Sequence, residues 1–294
     1  MPAVYDDQDG HYKLIGGDHL QYRYQIISIL GKGSFGKVVK CVDHKTKTEV
    51  AIKVVKNRPA ERNASEKELA FFRMLSAHGS TTYYGRIVEL RDSFTFRGHL
   101  CIVLELLYLN AWSFLEQNKR RLPVPVVRVL VRDTLMALAF LHNINIIHCD
   151  VKPENVVLTI PTPPDSVVHV EKLRAKLVDF GTSRNDVASQ NNVWYIQSRF
   201  YRAPEVILDL PYSTPIDLFS LGCMVPELLT GRPLFAGHNE EEQLHRFMEL
   251  IGPPPPEVLN KSHRRGILLD NTGRLKKLDV CTFFLQLLIF LIFF

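Results

Sequence analysis

Two aspartates, a lysine and an asparagine stand in an order that suits one kind of chemistry. The first run is His148-Cys149-Asp150-Val151-Lys152-Pro153-Glu154-Asn155, the second is Asp179-Phe180-Gly181, and Ala203-Pro204-Glu205 follows. Moving the γ-phosphoryl group of Mg·ATP onto a hydroxyl needs a base, a cation for the travelling phosphate and hard oxygen ligands for two magnesium ions. Asp150 suits the base, which orients the hydroxyl and takes its proton late in transfer. Lys152 suits the cation, and Asn155 and Asp179 suit the metal ions. An isolated aspartate or asparagine in a loop is ordinarily a cap or turn residue. Three runs in this order make that reading fail, although His148 and Phe180 read as packing residues rather than reagents.

Upstream, Leu30 leads into Gly31-Lys32-Gly33-Ser34-Phe35-Gly36-Lys37-Val38. A glycine backbone can approach phosphates closely and donate N–H groups to them. The pattern alone also fits a turn or a dinucleotide-binding loop, but strand-like runs flank it on both sides and no crossover helix opens at its end. Val50-Ala51-Ile52-Lys53 on the next strand gives it meaning, with Lys53 holding the α- and β-phosphates. An ammonium in an apolar cleft needs a carboxylate. Glu68 is the choice because it shares a helical stripe with Phe72 and Leu75, whereas Glu66 lies roughly 160° around the helix. Val38, Ala51 and Leu158 can enclose the adenine, Leu104 marks the strand's entry to a hinge, and Glu105–Leu107 offer backbone groups to the purine edge. Each of these apolar residues reads equally well as core.

The elements that must hold these groups are legible as periodicity. Residues 24–56 read as a strand meander, 60–77 as a helix, and Ile87–Phe94 and His99–Leu104 as two more strands. Val127, Leu130, Val131, Thr134, Leu135, Leu138 and Leu141 mark one face of a long buried helix. Helices are predicted near 216–230 and 240–251, and Pro253–Pro256 is expected to break structure. The fold class is α+β: a small β-rich lobe with one main helix, then a larger, mostly helical lobe. Segment by segment, residues 24–106 form the small lobe and 107–279 a partial large lobe.

The 294 residues carry a net charge of +5, with no basic run interleaved with aromatics, so a nucleic-acid partner is not expected. Five cysteines without close pairing speak for a reducing compartment and against a disulfide framework or zinc site. With neither a basic nor an apolar stretch at the N-terminus, the expectation is a cytoplasmic or nuclear monomer. The apolar run 280–294 is the exception. As a helix it would span about 22 Å, short of the usual ~20 residues of a membrane span, though Arg274, Lys276 and Lys277 precede it as an anchor would require. A helix packed in the large lobe, a membrane anchor and an abnormal end all fit, and the last is preferred.

Several runs resemble the dual-specificity tyrosine-regulated protein kinases. They are Cys149 in place of the more usual Arg, Tyr195-Ile196-Gln197-Ser198-Arg199-Phe200-Tyr201-Arg202-Ala203-Pro204-Glu205, Pro215-Ile216-Asp217-Leu218-Phe219-Ser220-Leu221-Gly222-Cys223, Tyr22-Arg23-Tyr24 and Phe94-Thr95-Phe96-Arg97. The resemblance covers roughly residues 5–250. It implies the two-lobed kinase fold, ATP and Mg2+ as cofactors, and Ser/Thr phosphorylation of protein substrates, often ahead of proline. It also implies autophosphorylation of one activation-loop tyrosine, by position Tyr195. Arg199 and Arg202 lie four and seven residues on and would clamp its phosphate. Val193-Trp194 stands where the family often has another tyrosine, so a second phosphotyrosine is not expected. Residues 1–23 resemble the family's N-terminal homology box, which braces the small lobe.

After Ile251 the resemblance fades, and the arginine that pairs with Glu205 in the family has no counterpart in the sequence. Pro226 lies inside the helical 216–230 run, where it costs a hydrogen bond and adds a kink, on the same helix as Asp217, which anchors the catalytic loop in kinases. These departures keep a second reading in view, a truncated, inactive module that binds nucleotide without transfer. A third is a gene-model fragment of a longer kinase.

Overall fold

A computed structural model describes residues 5–78, 84–160, 170–186, 195–270 and 276 of the chain. Strands β1 (His19–Leu20), β2 (Tyr24–Lys32), β3 (Gly36–Asp43) and β4 (Thr48–Val55) lead into helix α1 (Pro59–Ala77). Strands β5 (Leu90–Phe96) and β6 (His99–Glu105) follow, then helices α2 (Ala111–Gln117) and α3 (Val124–Asn143). Four short strands come next: β7 (Ile146–Ile147), β8 (Val156–Leu158), β9 (Ala175–Leu177) and β10 (Arg184–Asn185). Helices α4 (Pro204–Ile207), α5 (Pro215–Thr230), α6 (Glu240–Ile251) and α7 (Pro256–Lys261) close the order. The described residues fall into two units, the first drawn from 1–110, 132–140 and 156–183, the second from 111–131, 141–155 and 184–294.

The first unit is a six-stranded sheet in the order β1-β2-β3-β4-β6-β5, antiparallel throughout. β3 hides every second or third residue and β4, a central strand, hides both faces, as its Val-Ala-Ile-Lys-Val-Val run requires. Tyr24, Ile26, Val39, Cys41, Ile52 and Val103 form a buried cluster. Arg23 grips Asp43 through two N–H groups at 2.7 Å and reaches Asp92 at 2.9 Å. Helix α1 buries Glu68, Leu69, Phe72 and Leu75 and leaves Glu66 outside, paired with Arg62 at 3.0 Å.

The second unit is mainly helical. Ile147, Cys149, Ile196, Ala203, Val206 and Ile216 form one buried cluster. Phe219, Phe235 and Phe247 form a ring group, with centroids 4.6–6.4 Å apart. A sheet-rich unit and a helical one are the expected α+β architecture.

Two details depart from the sequence expectations, at Ile87 and Leu135. Ile87 lies outside the strand and bridges Leu177, so β5 begins at Leu90. On α3, Leu135 is 43% exposed, because the buried face turns through Thr134, Ala137, Leu138 and Leu141 instead. Residues 252–255 separate α6 from α7, the break expected of Pro253–Pro256, and Pro256 itself opens α7, since the first helical position needs no N–H donor. Helix α5 covers the predicted span with Pro226 inside it, and its last turn is secured by the Thr230 hydroxyl, which donates to the Pro226 carbonyl at 2.8 Å. The 280–294 tail and Val193-Trp194 lie outside the described residues. Among the described residues, no helix is long and apolar enough to cross a membrane.

Gly231 ends α5 with φ 76°, and a Cβ there would lie 2.2 Å from the Arg120 carbonyl oxygen. Both the left-handed backbone and the collision with another backbone atom exclude a side chain. Gly231→Ala is expected to destabilise by about 2 kcal/mol or more, lowering Tm by about 4 °C or more. A thermal melt matching the unmodified chain would refute this.

Candidate active site

The candidate site residues divide between the two units, and each set is assembled within its own unit. In the first, the antiparallel register puts Val38 opposite Lys53, Ala51 opposite Leu104 and Lys53 opposite Ile102. Lys53 Nζ donates to both Glu68 carboxylate oxygens at 2.9 and 2.7 Å and meets Asp179 Oδ1 at 3.5 Å. Glu68 is 2% exposed. Burial disfavours the Lys53 ammonium, but Glu68 first and Asp179 second outweigh it and hold its pKa above the ordinary lysine value. Phe180 is fully buried and packs edge-on against Phe72 at 5.3 Å, which fixes the residue next to Asp179.

Gly36 has no room for a side chain, since a Cβ would lie 2.3 Å from the Val54 carbonyl oxygen. Gly31 and Gly33 are exposed with open space around them, and Leu30 is half exposed. Ala51 and Leu158 are buried, while Val38, Leu104 and Leu107 are half-buried. Leu158 is tied to the segment after β6 by two backbone bonds, its N–H to Leu109 and its carbonyl to the N–H of Tyr108. The Glu105 side chain turns away to Lys176 and accepts the N–H of Glu89. Lys176 gave no signal in the sequence, because a surface lysine and an ion-paired one read alike.

In the second unit, Asp150 is gripped from several sides. Lys152 Nζ donates to Oδ2 at 2.6 Å, and the Ser198 hydroxyl to Oδ1 at 2.8 Å. Lys152 also donates to the Ser198 oxygen at 3.0 Å. Asn155 Nδ2 donates to the Asp150 carbonyl at 2.8 Å and to Oδ2 at 3.0 Å. With its amide nitrogen committed, Asn155 presents Oδ1 as its ligating atom. Below the loop, buried Asp217 accepts the N–H groups of His148 and Cys149. Gln197 fastens the activation segment to α5 by donating to the Ile216 carbonyl at 2.9 Å and the Ser220 hydroxyl at 2.7 Å.

Tyr195 is 62% exposed, with the Arg202 guanidinium 4.5 Å from its ring centre. Arg202 is nearly saturated: it donates to the carbonyls of Ile196 and Gln197 at 2.8 Å and to Glu240 at 2.5 Å. Arg199 is exposed and donates to the His238 carbonyl at 2.7 Å. Burial raises the pKa of Glu205, which meets no cation among the described residues.

Beside Asp150's partners lies a cavity of about 310 Å³ lined by Trp112, Lys152, Glu154, Ser198, Tyr201 and Glu227, among others. Tyr201 OH donates to Glu227 Oε2 at 2.6 Å, and burial lifts the Glu227 carboxyl to about 7. The sequence reading missed Ser198 as a contact of the base, and this cavity altogether. A serine in a loop carries no distinguishing pattern, and the cavity draws on α2, the catalytic loop and α5, which are far apart in the chain.

Ser198→Ala removes one hydrogen bond from Asp150 and one from Lys152 while leaving the fold intact. It is expected to lower kcat about tenfold or more with little change in nucleotide KM, the pattern of a group that orients the base. An unchanged kcat would show that Ser198 is a bystander.

The protein kinase domain family matches residues 24–263. Serine/threonine-protein kinase ppk5 of Schizosaccharomyces pombe is 45% identical over 273 residues, covering 92% of this chain and 31% of that protein. Dual specificity tyrosine-phosphorylation-regulated kinase 3 of Homo sapiens is 42% identical over 270 residues, 92% of this chain and 44% of that one. The DYRK-family kinase pom1 of Schizosaccharomyces pombe is 39% identical over 271 residues, 92% and 24%. The chain thus spans less than half the length of these curated relatives.

Proposed function

The chain belongs to the protein kinase domain family and, within it, to the dual-specificity tyrosine-phosphorylation-regulated kinases, and on that premise we propose that it phosphorylates serine and threonine of protein substrates after phosphorylating its own Tyr195. The observation that carries this reading is the pair of completed side-chain sets. Lys53, Glu68 and Asp179 stand together in one unit, and Asp150, Lys152, Asn155 and Ser198 in the other.

The donor set fits the cofactors. Lys53 offers an ammonium to phosphate oxygens, and Asp179 and Asn155 offer hard oxygens of the kind magnesium takes. Magnesium, when bound, neutralises charge that develops between the phosphates. Asp150 accepts the hydroxyl proton at a carboxylate oxygen, and its contacts with Lys152 and Ser198 hold that oxygen in place beforehand. Lys152 then lies where a transferred phosphate needs a cation. An acceptor followed by proline and a monomeric enzyme complete the proposal.

The cavity beside the base gives the substrate a chemical preference. Its two carboxylates, Glu154 and Glu227, and the Trp112 face suit a basic side chain near the acceptor, since Lys152 turns to Asp150 and Arg199 to His238. Glu227 is charged above its pKa of about 7 and protonated below it. The KM for a peptide bearing arginine at that position is therefore expected to fall as pH rises from about 6 to about 8, while an uncharged norleucine peptide shows no such fall. Parallel profiles for the two peptides would exclude the acidic subsite.

The activity itself is tested by mass spectrometry of the purified chain against an Asp179→Asn control. Phosphate on Tyr195 in the unmodified chain alone is the expected result. A folded, ATP-binding chain with bare Tyr195 would instead support a nucleotide-binding module without transfer.

A further inference from the structure

The glycine loop closes a hairpin whose two ends both carry lysine. Lys32 on β2 and Lys37 on β3 are register partners. Like charges directly opposite on neighbouring strands repel and tend to splay the pair. This is the hairpin whose backbone must approach phosphates in the nucleotide-binding role proposed above, so its shape matters to binding. Nothing within the hairpin offsets the repulsion, and the answering charges come from the N-terminal segment. Asp7 Oδ2 meets Lys37 Nζ at 3.3 Å, and Asp9 Oδ2 meets Lys32 Nζ at 3.9 Å.

That segment is built to hold the two aspartates still. Its buried end is fixed by Asp6, whose Oδ1 meets His99 Nε2 at 2.9 Å and whose Oδ2 accepts Asn57 Nδ2 at 3.1 Å. The Gly10 carbonyl accepts the Asn57 N–H at 2.8 Å. Between these anchors the chain forms a tight turn: Asp7 Oδ1 accepts the N–H groups of Asp9 at 3.1 Å and His11 at 2.9 Å. One oxygen of Asp7 shapes the turn and the other faces the hairpin.

We infer that Asp7, assisted by Asp9, is a positioning residue for the glycine loop, neutralising the Lys32–Lys37 repulsion so that the hairpin keeps the shape a nucleotide requires. The two contacts are not equal. Lys37 and Asp7 are 18% and 35% exposed, whereas Lys32 and Asp9 are 58% and 67% exposed and screened by water. Asp7 therefore carries most of the effect. Burial works against its charge, but the His11 N–H and Lys37 prevail and keep its pKa below the ordinary aspartate value.

Asp7→Asn isolates charge from shape, because the amide oxygen can still accept both turn N–H groups. Hydrogen exchange of the amides at 31–37 in the nucleotide-free chain is expected to speed up by about twofold to fivefold, the range a partly exposed ion pair supports. The Kd for Mg·ADP is expected to weaken by a similar factor at low salt, with the difference closing at high salt. In a Lys37→Met background the same substitution should change neither quantity, since no charge remains to be met. Unchanged exchange in Asp7→Asn, or an equal effect with and without Lys37, would overturn the inference. Exchange needs no nucleotide, so a chain that bound no Mg·ADP would defeat the nucleotide-binding reading while exchange still decided the role of Asp7.

Discussion

One buried carboxylate holds the catalytic loop in a conformation it would not otherwise keep. Cys149 has φ 67°, a left-handed backbone that costs a residue with a Cβ about 1–2 kcal/mol. Fully buried Asp217 accepts the N–H groups of His148 at 2.8 Å and Cys149 at 2.9 Å, and also meets His142 Nε2 at 3.0 Å. Hydrogen bonds to a charged group contribute about 1.5–3 kcal/mol each, so two of them exceed the backbone cost. Asp217 also lies in the first turn of α5, where the helix dipole favours a negative charge. The next residue along the strained loop is Asp150, so the direction of its carboxylate follows from this contact. Were the carboxylate absent, two buried N–H groups would stand without acceptors and the strain would have nothing to offset it.

The Lys53–Glu68 pair answers a different need. A buried ion pair is weak support for stability, and apolar residues of the same size would often serve the fold as well or better. What the pair supplies is position. Glu68 comes from a helix face whose neighbours Phe72 and Leu75 are each 1% exposed, so its carboxylate cannot drift, and Lys53 is drawn to one place near Asp179. The same Phe72 packs on Phe180, which couples the helix to the segment that carries Asp179.

How much of this was legible in the sequence depended on distance along the chain. The Lys53–Glu68 pairing could be read because helical spacing alone separates Glu68 from Glu66, and the structure buries the one and exposes the other. The runs around Asp150 and Asp179 could be read because the reaction fixes their residue types and order. Ser198 could not, since its link to Asp150 depends on how the activation segment folds back, which no local pattern encodes. The exposure of Leu135 and the start of β5 at Leu90 escaped for a related reason: each is set by which neighbour packs there rather than by local periodicity.

Two glutamates, one ending the activation segment and one opening α6, have opposite surroundings. Glu240 is held between two arginines, Arg202 at 2.5 Å and Arg264 at 2.6 Å, while Glu205 has no cation among the described residues and its pKa is raised by burial. Of Arg202's donors, those facing the Ile196 and Gln197 carbonyls fasten the segment, and only the one facing Glu240 meets another charge. A phosphate on Tyr195 would bring nearly two negative charges to a guanidinium already stacked against that ring. It would compete with Glu240, which carries a single charge and keeps Arg264 if Arg202 turns away. The exchange therefore leaves no buried arginine without a partner. Exposed Arg199, which among the described residues donates to the His238 carbonyl, gives up less to join the phosphate than Arg202 does.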